Sequence, residues 1–347
     1  MKIVKFEPGL TDRYMSFIES VYPERIDLKL NFQMRLLNNP LLNNKDKPEI
    51  LLALTDDSKI AGQFVLSPSE VMYKNKKSGC YFGSDFIVLN EFRDSGIGAL
   101  LALQAIRSYK SYFAIGVSET AREIHLACNT KILGCAYKYV YIRKRLTSMV
   151  KAAGGIIKSK SIKTAWENKL KLKFPENITG IGYNFRQVQE PVESVFSGSD
   201  EFIEFVHSAP FLSWRFFSRP KKYSMYQIAN NKSVYFISRN SIWRGLNLLF
   251  IVDYNFDKNN PYTLYDIFNA SKQLAKKCGL DGVITISSLK IADEYLRKNS
   301  FKMINNPIWV ISGKEFVLPK ERIDSRNSVF ITPSDSDFEF NFDNAWW

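Results

Sequence analysis

The chain has 347 residues, of which 45% are hydrophobic and 24% are charged, and it carries a formal net charge of +13. This composition excludes a mostly disordered or fibrous chain, and the length favours two domains with sizeable cores. The positive charge suits an anionic partner, for which nucleic acid, a phosphorylated small molecule and an anionic membrane surface all qualify. No apolar run approaches the roughly 20 residues that a membrane-spanning helix needs, so we expect no membrane partner.

Cysteine and histidine are too few and too scattered to predict a metal site. The four cysteines include no CxxC pair, and His125 and His207 are the only histidines that could join them. We therefore expect free thiols, no bound metal and a reducing, cytoplasmic environment.

The first half of the chain predicts alternating strands and helices. Residues 1–7 alternate apolar and charged side chains and predict a first strand rather than a secretory signal. The apolar runs 50–54 and 59–66 flank a turn-forming Asp-Asp-Ser sequence and predict a hairpin. The spacing of later apolar positions predicts a strand over 81–89, a helix from 96, a strand over 112–117, a helix over 120–132 closed by Gly134, and a strand over 136–143.

The second half repeats this order of elements without repeating the residues. The predicted elements are strands over 233–238 and 246–254, a helix over 261–278, a strand over 282–286, a helix over 289–299 and a strand over 301–310. We expect two tandem α/β domains, over residues 1–165 and 166–347, with the connector between 144 and 198. The tail over 319–347 ends in an aromatic sequence and is either mobile or docked by its aromatic side chains.

Residues 93–98, Arg-Asp-Ser-Gly-Ile-Gly, join the predicted strand over 81–89 to the helix that follows. A glycine-bearing turn at a helix N-terminus lets backbone N–H groups converge on a phosphate, and the helix dipole adds a positive field. The turn therefore predicts an anion site. The alternative is a tight strand-to-helix turn that binds no ligand, because turns of this composition are common.

The sequence over residues 84–101 resembles the acetyl-CoA-binding motif of the GNAT acyltransferase superfamily. Arg93, Gly96 and Gly98 match its Arg/Gln-x-x-Gly-x-Gly/Ala pattern, Val88 matches the strand valine before the loop, and Asn90 replaces a proline often found there. Residues 112–143 resemble the next motif of the superfamily. The resemblance implies an α/β (α+β) fold with two tandem GNAT-like domains, each a mixed, mostly antiparallel central sheet flanked by helices.

The same resemblance implies that acyl-CoA, either acetyl-CoA or a short hydroxyacyl-CoA, is the co-substrate and that no metal takes part. Backbone amides of the glycine turn would bind the pyrophosphate, and the strand before it would pair with the pantetheine arm. The residues implicated in this way are Ile87, Val88, Leu89, Arg93, Asp94, Ser95, Gly96, Ile97, Gly98, Ala99, Ser118 and Thr120.

Acyl transfer to an amine needs a group that accepts the amine proton and a group that protonates the leaving thiolate. Asp85, before the pantetheine strand, and His125, on the following helix, are the catalytic candidates. The alternatives are a strand-entry aspartate bonded to a neighbouring amide and a histidine packed on its helix face. Many members of the superfamily use an asparagine and a tyrosine on this helix, and this sequence has no tyrosine there.

The second half has no matching glycine turn, since the corresponding residues 255–261 contain no glycine. We therefore expect no second coenzyme site, and a degenerate domain that contributes to acceptor binding. Residues 211–223 gather side chains that could stack a base and pair with phosphates, namely Trp214, Arg215, Arg219 and Tyr223. The alternative is an amphipathic helix that packs on its own domain.

Residues 211–223, and the chain as a whole, resemble two-domain GNAT proteins that acylate dTDP-linked amino-deoxyhexoses for surface polysaccharides. The resemblance implies an acyl-CoA-dependent N-acyltransferase whose acceptor is a nucleotide-linked amino sugar, with neither nucleic acid nor membrane as a partner. The alternatives are an acyltransferase that acts on a peptide or protein amine, a tandem GNAT-like ligase that uses aminoacyl-tRNA, and a non-catalytic module that binds CoA or nucleic acid. The intact glycine turn counts against the ligase.

Overall fold

The computed structural model describes residues 1–23, 28–109, 111–143, 174–191, 199–218, 223–313 and 326–336. The chain forms two compact units, each assembled from separate stretches of sequence. Unit 1 takes residues from Met1–Cys135, Gly198–Val206 and Ile308–Val329, and unit 2 takes residues from Ala136–Ser197, His207–Pro307 and Phe330–Trp347. The predicted domain boundary at 165/166 lies outside the described residues.

The first part of the chain forms β1 (Lys2–Lys5), α1 (Thr11–Val21), α2 (Leu28–Phe32), β2 (Ile50–Leu54), β3 (Ile60–Tyr73), β4 (Lys76–Val88), α3 (Ile97–Ser108), β5 (Tyr112–Ile115), α4 (Glu119–Ala127) and β6 (Lys131–Ile142). The later part forms β7 (Asn177–Thr179), β8 (Asn184–Val188), β9 (Ile203–Phe205), α5 (Ala209–Leu212), β10 (Ser224–Ile228), β11 (Asn231–Trp243), β12 (Leu246–Asn255), α6 (Thr263–Lys277), β13 (Gly282–Ser287), α7 (Lys290–Lys298), β14 (Lys302–Ser312) and β15 (Val329–Phe330). A π-helical turn follows α2 at Gln33–Leu37, and another follows α5 at Ser213–Phe217.

Unit 1 is built on a sheet with the strand order β1-β2-β3-β4-β5-β14. Neighbouring strands are antiparallel, except that β4 and β5 are parallel. Side chains along β3 alternate between the two faces, so Phe64 and Leu66 pack in the cluster under α3 whereas Val65 packs in the cluster under α1. The unit is therefore a mixed, mostly antiparallel sheet with helices on both faces.

Unit 2 repeats this architecture with the strand order β7-β8-β10-β11-β12-β13-β6. Neighbouring strands of this sheet are also antiparallel, apart from the parallel pair β12 and β13. Apolar side chains of α5 and of the π-helical turn after it, Leu212 and Phe216, complete the core on one face. The mixed, mostly antiparallel sheet flanked by helices, which the family resemblance implies, is confirmed.

The two units share local details that the sequence pattern does not predict. The β3–β4 hairpin turns at Lys74 and Asn75, and the β11–β12 hairpin turns at Arg244 and Gly245, with positive φ at all four residues. In each unit the second strand of the hairpin also contains one residue more than its partner at a β-bulge, which falls between Ser84 and Ile87 in β4 and between residues 251 and 253 in β12. A single structural plan therefore occurs twice.

Three predictions from the sequence need correction or extension. The helix predicted over 120–132 ends at Ala127, because Asn129 takes a left-handed conformation (φ 66°) and β6 begins at Lys131, so Gly134 lies within a strand. The strand predicted over 59–66 continues through Pro68 to Tyr73. Residues 328–336 of the tail are buried, so this part of the tail is docked.

Candidate functional site

The glycine turn lies between β4 and α3 in unit 1. Residues Asn90–Ser95 form a short 3₁₀ turn, and Gly96 has φ 77°, which places the next peptide at the first turn of α3. A Cβ on Gly96 would meet no atom within 4 Å, so its left-handed backbone rather than a shortage of space calls for glycine. The first amides of a helix have no acceptor within the helix and carry a partial positive charge. A turn of this geometry suits an anion, and the anion site stays a prediction.

Gly98 has a different structural role from Gly96. A Cβ there would lie 3.1 Å from Cδ1 of Ile124 on α4 and within 3.9 Å of Phe86 and Val88 on β4. The residue is buried, and its missing side chain lets α3 approach both neighbours closely. The second glycine of the pattern thus fixes the position of the helix that presents the amides.

The other predicted residues of the turn are exposed or support its backbone. Arg93, Asp94 and Ser95 are exposed; Nε of Arg93 lies 3.5 Å from the carbonyl of Val88, and the Ser95 hydroxyl donates to the carbonyl of Phe92 at 2.6 Å. Ile97 is buried and Ala99 half-buried on the first turn of α3.

Strands β4 and β5 separate next to this turn. Their parallel pairing joins Tyr81, Phe82 and Gly83 to residues 112–114 and extends no further among the described residues. The bulge in β4 follows at once, and Asp85 within it has φ 46°, a conformation that is uncommon for a residue with a side chain. The predicted pantetheine strand continues from the bulge through half-buried Ile87, Val88 and Leu89 to the glycine turn. The backbone edge of β4 therefore opens between the bulge and the turn.

A polar cluster covers one side of the bulge, and we call it the bulge cluster; its members are Tyr22, Arg35, Ser84 and Asp85. Arg35 donates from Nη1 to Oδ2 of Asp85 at 2.8 Å and from Nη2 to the hydroxyl of Ser84 at 3.0 Å. Tyr22 donates to Oδ1 of Asp85 at 3.3 Å. Only 5% of the Asp85 side chain is exposed, and its carboxylate accepts from the side chains of both Arg35 and Tyr22.

Gln63 is a second polar residue near the bulge cluster. It pairs with Ile87 across β3 and β4, and it is completely buried. Neither polar atom of its amide has a hydrogen-bond partner in the part of the chain that the structure describes. A buried polar group without a partner is costly, which marks Gln63 as a residue that a ligand or an enclosed water would satisfy.

His125 has the surroundings of a core residue. It is completely buried, its ring lies 5.7 Å from Phe64 and 5.3 Å from Phe86, and its Nδ1 is 3.0 Å from the hydroxyl of Tyr112. Burial lowers the pKa of His125 to about 4, so the ring is neutral at physiological pH. Its hydrogen-bond partner is Tyr112, whereas Asp85 bonds to Arg35 and Tyr22, so within the described ranges the two predicted catalytic residues belong to different hydrogen-bonded groups.

Ser118 and Thr120 lie at the start of α4. The hydroxyl of Ser118 accepts from the backbone N–H of Ala121 at 3.2 Å and caps the helix. The side chain of Thr120 is exposed. Ser118 thus has a structural role that accounts for its residue type.

The aromatic and basic segment of unit 2 is built into that unit. Only 8% of Arg215 is exposed, and its Nη2 donates to the carbonyl of Ser336 at 2.7 Å. Tyr223 packs edge-to-face on buried Phe216, and Trp214 is half-buried against Phe211. Arg219 lies outside the described residues. These contacts match the packed alternative that the sequence left open, although the segment forms a helical turn followed by a π-helical turn.

Unit 2 also has an opening after its parallel pair, which joins Leu248–Phe250 to Gly282–Ile284. Here the C-terminal segment bonds to both sides of the opening. The N–H of Ile331 donates to the hydroxyl of Ser288 beyond β13 at 2.9 Å, and the hydroxyl of Thr332 donates to Asp253 on β12 at 3.0 Å. Residues of the C-terminal segment thus bridge the two strands of unit 2 beyond their paired residues.

A buried ion pair network holds this segment, and we call it the tail latch; it consists of His207, Asp253 and Asp335. Nδ1 of His207 lies 3.1 Å from Asp253, and Nε2 lies 2.6 Å from Asp335. Burial disfavours the charged ring, but the two carboxylates outweigh it and raise the pKa of His207 to about 10. The latch therefore contains a charged imidazolium between two carboxylates.

The described residues contain no group of three or more His, Cys, Asp or Glu side chains arranged to hold a metal ion. None of the helices within the described ranges is long and apolar enough to cross a membrane. All four cysteines are free thiols.

No model of a known protein family matches the sequence, and no curated protein matches it either. Solved structures are similar in fold. A GCN5-related N-acetyltransferase from Anabaena variabilis has a TM-score of 0.57 and 12% identity, over 90% of this chain and 72% of its own. A probable N-acyltransferase from Enterococcus faecalis has a TM-score of 0.55 and 11% identity, over 90% and 72%.

The N-myristoyltransferase of Saccharomyces cerevisiae, solved with bound myristoyl-CoA, is also similar, with a TM-score of 0.56 and 12% identity over 94% of this chain and 83% of its own. Similarity at these identities concerns the fold. The predicted GNAT-like architecture is confirmed by these neighbours.

Proposed function

We propose that unit 1 binds an acyl-CoA thioester and transfers its acyl group to an amine. The observation that carries this proposal is the combination of a glycine turn at the N-terminus of α3 with the separation of β4 and β5 at a bulge. The first feature suits a pyrophosphate, and the second leaves backbone edges for an amide-rich arm. An N-acetyltransferase and an N-myristoyltransferase that carries myristoyl-CoA are among the proteins that share the fold.

In the proposed complex the pyrophosphate lies against the backbone amides from Gly96 to Ala99. The pantetheine arm then follows the β4 edge along residues 87–89, and its amide groups pair with the main chain. This course would bring the thioester to the bulge, where a backbone N–H can polarise the carbonyl oxygen.

The proposed chemistry is direct transfer. The amine nitrogen attacks the thioester carbon, the new C–N bond forms, and the C–S bond breaks as CoA leaves. The proton that the nitrogen loses passes to Asp85, directly or through a water, and a proton from solvent completes the CoA thiol. His125 is left out of this scheme, because its ring is enclosed and neutral.

The acceptor that we propose is a nucleotide-linked amino sugar. The sequence resemblance of the chain as a whole to dTDP-amino-sugar acyltransferases supports it, and the net charge of +13 suits a phosphorylated acceptor. An amine on a peptide is the competing acceptor.

A thiol-release assay tests these proposals. Donors are acetyl-CoA, a short hydroxyacyl-CoA and myristoyl-CoA, and acceptors are dTDP-amino sugars and a peptide with a free amine. We expect CoA release that depends on an amino sugar and a short acyl group. Turnover on the peptide alone would remove the acceptor assignment, and failure to bind any CoA thioester would remove the proposed function.

A further inference from the structure

Arg35 reaches the bulge from an unusual helical turn. Residues Gln33–Leu37 are π-helical, and the N–H of Asn38 bonds to the carbonyl of Gln33 at 2.9 Å, five residues back. Such a turn contains one residue more than an α-helical turn and is frequent at functional sites. Here it aims Arg35 at β4.

The guanidinium of Arg35 bridges two consecutive residues of the bulge. One nitrogen bonds to the carboxylate of Asp85 and the other to the hydroxyl of Ser84. Because a guanidinium is planar and rigid, this fork fixes the direction of the carboxylate together with the strand that bears it. Asp85 is also the bulge residue with positive φ, so the fork restrains an otherwise unfavourable backbone.

Unit 2 shows that the shared scaffold does not require this contact. Arg215 occupies the same third position of a five-residue π-helical turn, where the N–H of Ser218 bonds to the carbonyl of Ser213 at 2.8 Å. Its guanidinium bonds to the backbone carbonyl of Ser336, while Asp253, next to the bulge of unit 2, belongs to the tail latch. The arginine–aspartate fork at the bulge therefore occurs in the unit that has the glycine turn.

We propose that Arg35 is a positioning residue of the acyl-transfer site, which acts by directing the Asp85 carboxylate and the bulge backbone toward the thioester. This inference rests on the proposed function. It assigns Arg35 a role in the rate of transfer and none in the binding of the coenzyme, because the glycine turn and the β4 edge bind the coenzyme without it.

The test compares Arg35→Gln, Arg35→Lys, Asp85→Asn and the double variant Arg35→Gln/Asp85→Asn in the full chain. The control is Arg143→Lys. Arg143 is also a half-buried arginine, and its Nε donates to the carbonyl of Leu280 at 3.1 Å. CoA affinity, kcat and the acceptor KM are measured for each, and thermal unfolding confirms folding.

We expect Arg35→Gln to lower kcat by roughly 10- to 100-fold, the scale of a small misplacement at a reacting centre, with CoA affinity unchanged within about two-fold. Lysine should restore part of kcat, since an ammonium can reach only one of the two partners. In the Asp85→Asn background, Arg35→Gln should cost nothing more, because both changes remove the same function. Arg143→Lys should change kcat by less than about two-fold.

Wild-type kcat in a folded Arg35→Gln variant would overturn the positioning role, and so would a full additional loss in the Asp85→Asn background. A wild-type protein that releases no CoA with any acceptor would instead remove the proposed function, and the positioning role with it.

Discussion

Unit 1 and unit 2 share one arrangement of strands and turns, but they differ at the place where the parallel strand pair ends. Both contain a hairpin with positive φ at its turn, a bulged second strand, a short parallel pair and an arginine at the third position of a π-helical turn. In unit 1 the strands separate beside a glycine turn, whereas in unit 2 the opening receives residues of the C-terminal segment. The comparison teaches that a separated strand pair needs partners for its polar groups, and that those partners can be a ligand or the chain itself.

The charged groups follow the same division. The aspartate of the unit 1 bulge accepts from Arg35 and from Tyr22. In unit 2 the nearby aspartate joins a histidine and a second carboxylate in a fully buried network. The first arrangement leaves a carboxylate at the edge of an opening, and the second closes one.

The largest expected effect concerns the tail latch. Replacement His207→Ala should leave Asp253 and Asp335 buried without their cation, at a cost of about 3–5 kcal/mol in the free energy of unfolding. Urea unfolding of the full chain measures this loss in the free energy of unfolding. As a control in the same unit, Lys298→Ala removes an exposed, solvent-screened ion pair with Glu294 and should leave the free energy of unfolding nearly unchanged. Equal losses in the two variants would mean that the latch does not hold unit 2 together.

The pH dependence of stability probes the same latch. The folded-state pKa of His207, about 10, lies above its unfolded value of about 6.5. The contribution of His207 is therefore complete below about pH 6.5 and is lost as the pH rises through about 10. The stability difference between the wild type and His207→Gln, measured by urea unfolding, should shrink steadily from pH 7 to pH 10. A difference that stays constant over this range would show that the ring is not charged in the folded protein.

The next largest expected effect distinguishes the two units by how their variants bind CoA. Gly96→Val and Gly279→Val each put a branched side chain at a glycine with positive φ and no atom within 4 Å of the new Cβ. Each should cost about 1–2 kcal/mol of stability. Gly96→Val should also weaken CoA binding by about 10-fold or more, the loss of roughly one charge-assisted hydrogen bond, as measured by calorimetry. Equal CoA affinity in the two variants would place the pyrophosphate elsewhere.

The smallest expected effect concerns buried amides. Gln63→Leu removes an unpaired amide from unit 1 and should raise the free energy of unfolding by about 1 kcal/mol while it impairs acyl transfer. Gln227→Leu in unit 2 should lower the free energy of unfolding by a similar amount, about 1 kcal/mol, because the amide of Gln227 donates to the carbonyl of Lys232 at 3.1 Å. Thermal unfolding and thiol release measure the two properties. Unchanged transfer in Gln63→Leu would show that the amide serves no ligand.

Local features were predictable from the sequence, and contacts between distant residues were not. The glycine turn has a sequence signature because both of its glycines answer to local geometry, one to positive φ and one to close helix packing. Arg35 was missed, because it meets Asp85 across 50 residues and a π-helical turn has no sequence signature. The enclosure of His125 depends on aromatic neighbours from three strands, which its own helix pattern does not report.

The segment over 211–223 shows the same limit. Its aromatic and basic side chains suit a nucleotide as well as a packed helix, and only the contacts of Arg215 with the C-terminal segment separate the two uses. The hydrogen bond of Arg215 joins residues 121 positions apart, so no local sequence pattern predicts it.

Hydrogen exchange with and without CoA tests the central difference between the units most directly. Amide protection measured by mass spectrometry follows both units in one experiment. We predict that CoA slows exchange at residues 84–99 of unit 1 and leaves residues 246–262 of unit 2 unchanged. Protection in unit 2, or no protection around the glycine turn of unit 1, would contradict the account.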